Sequence, residues 1–199
     1  MAKPALIVLG YSEASMLLRN GDTKIAAIIT IAGEREFAVA TDGTDPILRL
    51  HFDDVEVPDP SDPLSAARAQ LRQREEAKPA FWPVQYCRID DERVTRGAPP
   101  HAPPTPDDAQ RIIDFARSLD ETDGVILCQC HAGISRSPAV ALLCLATWAG
   151  PAHEDACVQR LKAIRPCAVP HRGLVRFGDE RLGRGGALIA ALDRIGCTS

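Results

Sequence analysis

Short apolar runs alternate with amphipathic segments along the first part of the chain. Ala5–Gly10 is apolar throughout and ends on glycine, which is typical of a buried strand, and a helical pattern follows it as far as Asn20. Residues 24–31 and 46–52 are β-branched or alternating runs, and they predict two further strands. The second of these strands ends directly before the pair Asp53-Asp54, where a loop begins.

Beyond residue 105 the pattern becomes mainly helical. Thr105-Pro106 is a strong helix start, and after the turn at 122–124 the apolar run 125–130 predicts a central strand. Ser137-Pro138 predicts the cap of a following apolar helix. Helical spacing then predicts helices over about 139–148, 153–164, 174–182 and 187–195. Strands alternating with helices, followed by helices alone, indicate an α/β fold: a three-layer sandwich with a mostly parallel central sheet flanked by helices.

The composition changes between Val57 and Pro106, where ten of the sixteen prolines fall. Ser61-Asp62-Pro63 predicts the start of one short amphipathic helix in this stretch. We interpret residues 57–105 as a proline-rich surface insertion, with a flap that selects the substrate as the alternative. The chain of 199 residues is otherwise expected to form one domain, residues 1–199.

Charge and cysteine content narrow the class of protein. The net charge is −4 and the sequence pI about 5.7, so the basic surface of a nucleic-acid-binding protein is not expected. The seven cysteines are an odd number in a chain large enough to fold on its core, so we expect reduced thiols in a cytoplasmic protein. No signal peptide or membrane span is predicted, and cysteines and histidines do not cluster at metal-ligand spacings. The sequence therefore gives no reason to expect a membrane, a metal or another cofactor.

A cysteine followed six positions later by an arginine occurs twice. Between Cys87 and Arg93 lie three carboxylates and no glycine, and such a loop would repel an anion. Between Cys130 and Arg136 lie small or uncharged residues including Gly133, with a predicted strand before the loop and a predicted helix after it. The second match, the 130–136 loop, is therefore the candidate site.

A tight loop between a strand and a helix can turn successive backbone N–H groups inward and form an anion site backed by the helix N-terminus. Gly133 can adopt backbone angles that other residues avoid, and the planar fork of Arg136 can bind two phosphate oxygens. The same field favours the thiolate form of Cys130, which is the nucleophilic form. The 130–136 loop therefore predicts a phosphate site with a reactive cysteine.

The segment Cys130–Ser137 closely resembles the signature loop of the protein tyrosine phosphatase superfamily, in particular dual-specificity-like phosphatases, and the chain is similar to a small bacterial cytoplasmic group of them. The resemblance implies a phosphomonoester hydrolase in which Cys130 forms a phosphocysteine and Ser137 assists release of the thiolate. Phosphotyrosine or related protein substrates would be expected. The residues that would bind the phosphate are His131, Ala132, Gly133, Ile134, Ser135 and Arg136.

The resemblance also implies an aspartic acid that protonates the leaving oxygen. Asp54 is favoured because its Asp-Val context resembles the acid loop of the family, with Asp53 second and Asp90 or Asp91 third. Gln129 stands where the family usually has histidine, so an amide must orient the backbone of Cys130.

Other residues near the loop have simpler interpretations. Cys128 is expected to be an ordinary core thiol, with redox protection of Cys130 as the alternative, and His131 is expected to shape the loop rim. The basic residues near the C-terminus are interpreted as a solvated helical face, with an auxiliary anion site as the alternative. They are Arg165, His171, Arg172, Arg176, Arg181 and Arg184.

Three functional alternatives stay open at this point. The chain could be a silent phosphate-binding module without a competent acid. It could act on a small phosphorylated metabolite or a phosphoinositide, which presents the same dianion as a phosphoprotein. Sulfur transfer or arsenate reduction also uses a cysteine in an anion-binding loop.

Overall fold

A parallel sheet of four strands lies at the centre of the computed structural model, which describes residues 4–33, 36, 38–39, 46–55 and 102–196. The strands are β1 (Ala5–Gly10), β2 (Ile25–Ala32), β3 (Ile47–His51) and β4 (Val125–Cys130). Their order in the sheet is β1-β4-β2-β3, and each neighbouring pair is parallel. The carboxyl ends of the strands therefore meet at one edge, where α/β proteins place their ligands.

Six helices accompany these strands in the described part of the chain. They are α1 (Tyr11–Asn20), α2 (Pro106–Ser118), α3 (Arg136–Ala149), α4 (Glu154–Ile164), α5 (Arg172–Arg181) and α6 (Ala187–Ile195). The strands and helices predicted from the hydrophobic pattern are confirmed over these ranges, with ends that differ by a few residues. None of the helices described is long and apolar enough to cross a membrane.

The two faces of the sheet carry different partners because side chains alternate along each strand. Ile28 and Leu127 point to the face covered by α1, where they pack with Ala14. Their neighbours Ile29 and Cys128 point to the other face, which packs against the remaining helices. Helices on both faces of a parallel sheet make the three-layer α/β sandwich predicted from the sequence.

Helix α2 begins where the sequence predicted it. The side chain of Thr105 accepts a hydrogen bond from the backbone N–H of Asp108, and the Asp108 carboxylate accepts one from the backbone N–H of Thr105. This reciprocal pair satisfies two N–H groups at the helix start, and Pro106 occupies the first helical position.

The start of α3 corrects the predicted cap. The helix begins at Arg136 after Ser135, so Ser137 is not the cap and instead lies buried within the first turn. Pro138 is tolerated in that turn because its missing N–H would have had no partner within the helix. The early start brings the first turn of α3 directly against Cys130.

Residues 56–101 lie outside the described part of the chain. Most of the predicted insertion, its short helix, the pair Cys87 and Arg93, and the candidate acids Asp90 and Asp91 belong to this stretch.

A buried carboxylate joins α5 to the start of α6. Asp179 is 2% exposed and accepts hydrogen bonds from the backbone N–H groups of Gly186 and Leu188 at 2.5 and 2.7 Å. Its negative charge also lies at the positive end of α6. Asp179 therefore satisfies backbone groups that the helix itself cannot.

We predict that Asp179→Ala destabilises the protein by roughly 1–3 kcal/mol for each backbone donor that it leaves unpaired. The matched control is Asp193→Ala, which removes a carboxylate from an exposed ion pair with Arg172 and should cost about 0–1 kcal/mol. The measurement is the free energy of unfolding in denaturant. Equal losses in the two variants would contradict the structural role of Asp179.

Candidate active site

Cys130 is the last residue of β4, and its side chain is enclosed by the loop that follows it. The residue is 2% exposed. Its Sγ lies 3.1 Å from Ser137 Oγ and accepts a hydrogen bond from the backbone N–H of Gly133 at 3.2 Å. The thiol thus lies between the loop amides and the first turn of α3, where a backbone N–H and a hydroxyl group contact the sulfur.

The six carbonyl groups of residues 130–135 all accept hydrogen bonds from outside the 130–136 loop. Tyr11 N–H donates to His131 O at 2.9 Å, and Arg165 donates from Nη2 to Ala132 O at 3.5 Å and from Nε to Gly133 O at 3.1 Å. The other three bonds are Gln129 Nε2 to Cys130 O at 2.8 Å, Val169 N–H to Ile134 O at 2.8 Å and His171 N–H to Ser135 O at 3.2 Å.

Outward carbonyls fix the direction of the amides. In a trans peptide the C=O of one residue and the N–H of the next point in opposite directions, and the described part of the chain contains no cis peptide bond. The N–H groups of residues 131–136 therefore face away from the bracing partners and toward the inside of the loop. Successive N–H groups directed into one concavity form an anion site.

Two glycines allow the loop to approach the first strand. Gly133 has φ +71°, and a Cβ there would meet the backbone of Leu9 and Gly10. A Cβ on Gly10 would in turn meet the backbone of His131 and Ala132 at 3.1 Å. Gly133 is required for this contact and Gly10 leaves little room for a side chain, so β1 and the loop are packed backbone to backbone.

Arg165 is positioned by Glu13 from α1. The Arg165 guanidinium donates from Nη1 to Glu13 Oε1 at 3.0 Å, and Glu13 also accepts a hydrogen bond from the backbone N–H of Gly10. The bond from Arg165, with that from Gly10, lowers the pKa of Glu13, and the Glu13 carboxylate raises the pKa of Arg165. Both groups are therefore charged at neutral pH, and the pair braces the loop against α1.

Arg136 is buried below the loop and is held along one edge of its guanidinium. Nη1 donates to Glu36 Oε2 at 2.6 Å and to the carbonyl of Phe52 at 3.1 Å, while Nη2 donates to Glu36 Oε1 at 2.7 Å. These contacts use three of the five N–H donors. Nε is buried without a hydrogen bond, so the unused donors are Nε–H and the second N–H of Nη2. They form the other edge of the fork, which suits two oxygens of one phosphate.

Glu36 is the residue of this site that the sequence did not reveal. It lies after β2 in the chain, and its Oε2 also accepts a hydrogen bond from the backbone N–H of Gly33 at 2.8 Å. Burial would raise the pKa of Glu36, but the bonds from Arg136 and Gly33 lower it below its usual value. Burial would likewise lower the pKa of Arg136, but Glu36 raises it. No local motif marks Glu36, because its partner is 100 positions away.

The two candidate acids at the end of β3 face different ways. Ser135 Oγ donates to Asp54 Oδ1 at 2.7 Å, and Asp54 Oδ2 lies 3.9 Å from Arg136 Nε. The side chain of Asp53 instead accepts a hydrogen bond from the backbone N–H of Ala102 at 3.0 Å, and the backbone N–H of Asp53 donates to Ala102 O. Asp54 therefore lies against the 130–136 loop, whereas Asp53 joins the chain on the two sides of residues 56–101.

The side-chain amide of Gln129 contacts the backbone of Cys130, as predicted for a glutamine that stands in place of the usual histidine. It is fully buried, and besides donating to the Cys130 carbonyl it accepts a hydrogen bond from Thr30 Oγ1 at 2.5 Å. Thr30 lies directly opposite Gln129 on β2. The sheet register thus fixes the Gln129 side chain, which in turn fixes the backbone of Cys130.

The remaining predicted residues fall into two groups. Cys128 is fully buried, and a hydrogen bond with Cys144 together with burial raises its pKa well above the usual value, as suits a protonated core thiol. His131 and Ile134 are exposed at the rim of the loop.

The basic residues near the C-terminus form contacts with other residues of the protein. Four arginines pair with carboxylates: Arg165 with Glu13, Arg172 with Asp193, Arg181 with Asp107 and Arg184 with Glu154. Arg176 lies over the ring of Phe177, and His171 contacts the Val55 carbonyl. This arrangement favours a structural face over the auxiliary anion site.

No protein-family model matches the chain, and no curated protein does. Solved structures do match. The protein has the fold of the protein tyrosine phosphatases, as the resemblance of the loop implied. The phosphatase domain of Yvh1 from Chaetomium thermophilum superposes with a TM-score of 0.50 and 15% identity, over 94% of this chain and 95% of that one.

Two further structures are similar. DUSP15 has 18% identity and a TM-score of 0.49, over 96% of this chain and 92% of its own. Human DUSP28 has 17% identity and a TM-score of 0.47, over 90% and 95%. Identities this low describe the fold, so the chemistry has to be argued from the site.

We predict that Gln129→His preserves the reactivity of Cys130. The loop amides, the terminus of α3 and Arg136 surround the sulfur, and they are unchanged in this variant. The measurement is the rate of Cys130 alkylation by iodoacetate at about pH 7 in both proteins. A large gain in rate in Gln129→His would contradict the prediction, because it would show that the residue before Cys130 matters more than the loop.

Proposed function

We propose that this protein is a cysteine-dependent phosphomonoester hydrolase that acts through a phosphocysteine intermediate. The observation that carries the proposal is the set of hydrogen-bond donors beside Cys130. The 130–136 loop supplies inward backbone amides, of which Gly133 N–H contacts the Cys130 sulfur, and Arg136 supplies its Nε edge, where Nε has no hydrogen-bond partner among the described residues. A phosphate dianion supplies oxygen acceptors for these donors.

In the first step, the Cys130 thiolate attacks phosphorus and the ester P–O bond breaks. The equatorial oxygens are held by the loop amides and Arg136, and Asp54 gives its proton to the leaving oxygen. The contact between Asp54 and Ser135 supports this role because it places the carboxyl group beside the loop.

In the second step, Asp54 takes a proton from water, and the water oxygen attacks phosphorus. The P–S bond breaks, which releases inorganic phosphate and restores the thiolate. Ser137 Oγ, 3.1 Å from the sulfur, donates a hydrogen bond that stabilises the departing thiolate.

Phosphotyrosine or a related phosphoprotein is the substrate class that we propose. Ile134 is 42% exposed at the rim of the loop and offers an apolar surface to an aromatic leaving group. Small phosphorylated metabolites and phosphoinositides carry the same dianion, and comparison of kcat/KM among the three classes distinguishes them.

The silent phosphate-binding module is the competing function. It would bind phosphate or vanadate but would not release product from an activated aryl phosphate. The placement of Asp54 beside the loop favours the enzyme, since a silent module would lack a competent acid.

We predict that Cys130→Ser abolishes turnover of p-nitrophenyl phosphate but retains vanadate binding, because the amides remain while the nucleophile is lost. Arg136→Ala should lose both turnover and vanadate binding, since it removes the guanidinium group that would hold two of the oxygens. Arg184→Ala, which breaks a buried arginine–carboxylate pair away from the loop, is the control for loss of a buried charge. Wild-type turnover in Cys130→Ser would remove the mechanism, and normal vanadate affinity in Arg136→Ala would remove the proposed clamp.

We also predict that Asp54→Asn slows hydrolysis of phenyl phosphate by roughly 10²–10⁴-fold, as expected for loss of a general acid. The defect should shrink with p-nitrophenyl phosphate, because a leaving group of low pKa needs less protonation. Asp53→Asn is the matched control on the neighbouring residue. If Asp53→Asn shows the leaving-group-dependent loss instead, the acid is Asp53, and if neither variant shows it, the acid lies elsewhere.

A further inference from the structure

His171 connects the 130–136 loop to the segment that carries Asp54. The residue is 6% exposed and precedes helix α5. Its backbone N–H donates to Ser135 O at 3.2 Å, its Nδ1 accepts the backbone N–H of Leu174 at 3.2 Å, and its Nε2 lies 2.7 Å from Val55 O. Its carbonyl accepts a hydrogen bond from Val175 N–H at 3.1 Å, so all four hydrogen-bonding groups of the residue are engaged.

The partners define which nitrogen carries the proton. Nδ1 faces a backbone N–H and must present its lone pair, so in the neutral ring the proton is on Nε2. Nε2–H then donates to the carbonyl of Val55. This assignment satisfies every contact of the ring with no group left unpaired.

These bonds close a ring of contacts around the proposed acid. The backbone N–H of His171 donates to Ser135 O, and Ser135 Oγ donates to the carboxylate of Asp54. Val55, the residue after Asp54, contacts the ring of His171 through its carbonyl group. The acid segment is thus joined to the loop at two points, one at the carboxylate and one at the following carbonyl.

We propose that His171 is a positioning residue that fixes Asp54 over the 130–136 loop through the bond from Nε2 to Val55 O. The inference rests on the proposed function, because it assumes that Asp54 is the general acid. The ring itself touches no reacting atom. The ring contributes by keeping the Asp54 carboxyl group close to the leaving oxygen. A displacement of that group by about 1 Å can lower the rate by roughly 10²-fold.

Two substitutions separate this role from simple capping of α5. In His171→Asn, the Oδ1 atom takes the place of Nδ1 and still accepts from Leu174 N–H, but the shorter side chain loses Val55 O. In His171→Gln, the Nε2 atom takes the place of the ring Nε2 and still reaches Val55 O, but the cap is lost. The two variants therefore lose one contact each.

The test measures kcat/KM for phenyl phosphate and p-nitrophenyl phosphate in the full chain, with vanadate affinity and thermal unfolding as further readouts. We expect His171→Asn to lose about 10–10²-fold on phenyl phosphate and much less on p-nitrophenyl phosphate. Its vanadate affinity and melting temperature should stay near those of wild type. His171→Gln should melt lower but keep the wild-type ratio of the two rates.

The variant Asp54→Asn distinguishes failure of the inference from failure of the proposed acid. If Asp54→Asn shows the leaving-group-dependent loss but His171→Asn slows both substrates equally or neither, the inference alone is wrong. It is also wrong if His171→Gln changes the ratio as much as His171→Asn does. If Asp54→Asn does not show the leaving-group-dependent loss, Asp54 is not the general acid, and the inference about His171 is wrong as well. Combining Asp54→Asn with His171→Asn should add no further loss on phenyl phosphate, since both act through one carboxyl group.

Discussion

The structure of the site depends on how the carbonyl groups of the 130–136 loop are held. Each of six successive carbonyls accepts a hydrogen bond from a partner outside the loop, and the partners come from β4, from the start of α1 and from the segment that precedes α5. Because the amides point the opposite way, the anion site that we propose has its donors in place before any anion binds. Donors arranged in advance cost no reorganisation when a charged substrate arrives.

Net charge plays little part in this site. The chain carries a net charge of −4, and Glu36 pairs with Arg136 along one edge of the guanidinium. The second edge of Arg136, the loop amides and the terminus of α3 are directional donors that act at short range. In the function that we propose, a phosphate is therefore recognised by the geometry of its oxygens, so that an acidic protein can offer a site for a dianion.

The pattern of residues predicted the strands, the helices and the 130–136 loop because those features are local: runs of apolar residues, helix caps and one motif of fixed spacing. Glu36, Arg165 and His171 could not be assigned in the same way. Each contacts the site from another element, and such contacts are made by the tertiary fold. The start of α3 was predicted one turn late for a related reason, since Ser137-Pro138 has the composition of a cap while the loop already provides the turn.

Asp53 and Asp54 show why the proposed acid could not be assigned by pattern alone. Both follow β3 at the edge where the site lies, and the sequence favoured Asp54 only through its Asp-Val context, with Asp90 and Asp91 as further alternatives. Successive side chains after a strand point to opposite sides, so one carboxylate meets the loop and the other does not. Asp54 is bound by Ser135, while Asp53 is bound to Ala102 where the chain returns from residues 56–101. The carboxylate that contacts Ala102 and the carboxylate that contacts the 130–136 loop therefore belong to adjacent residues with different partners.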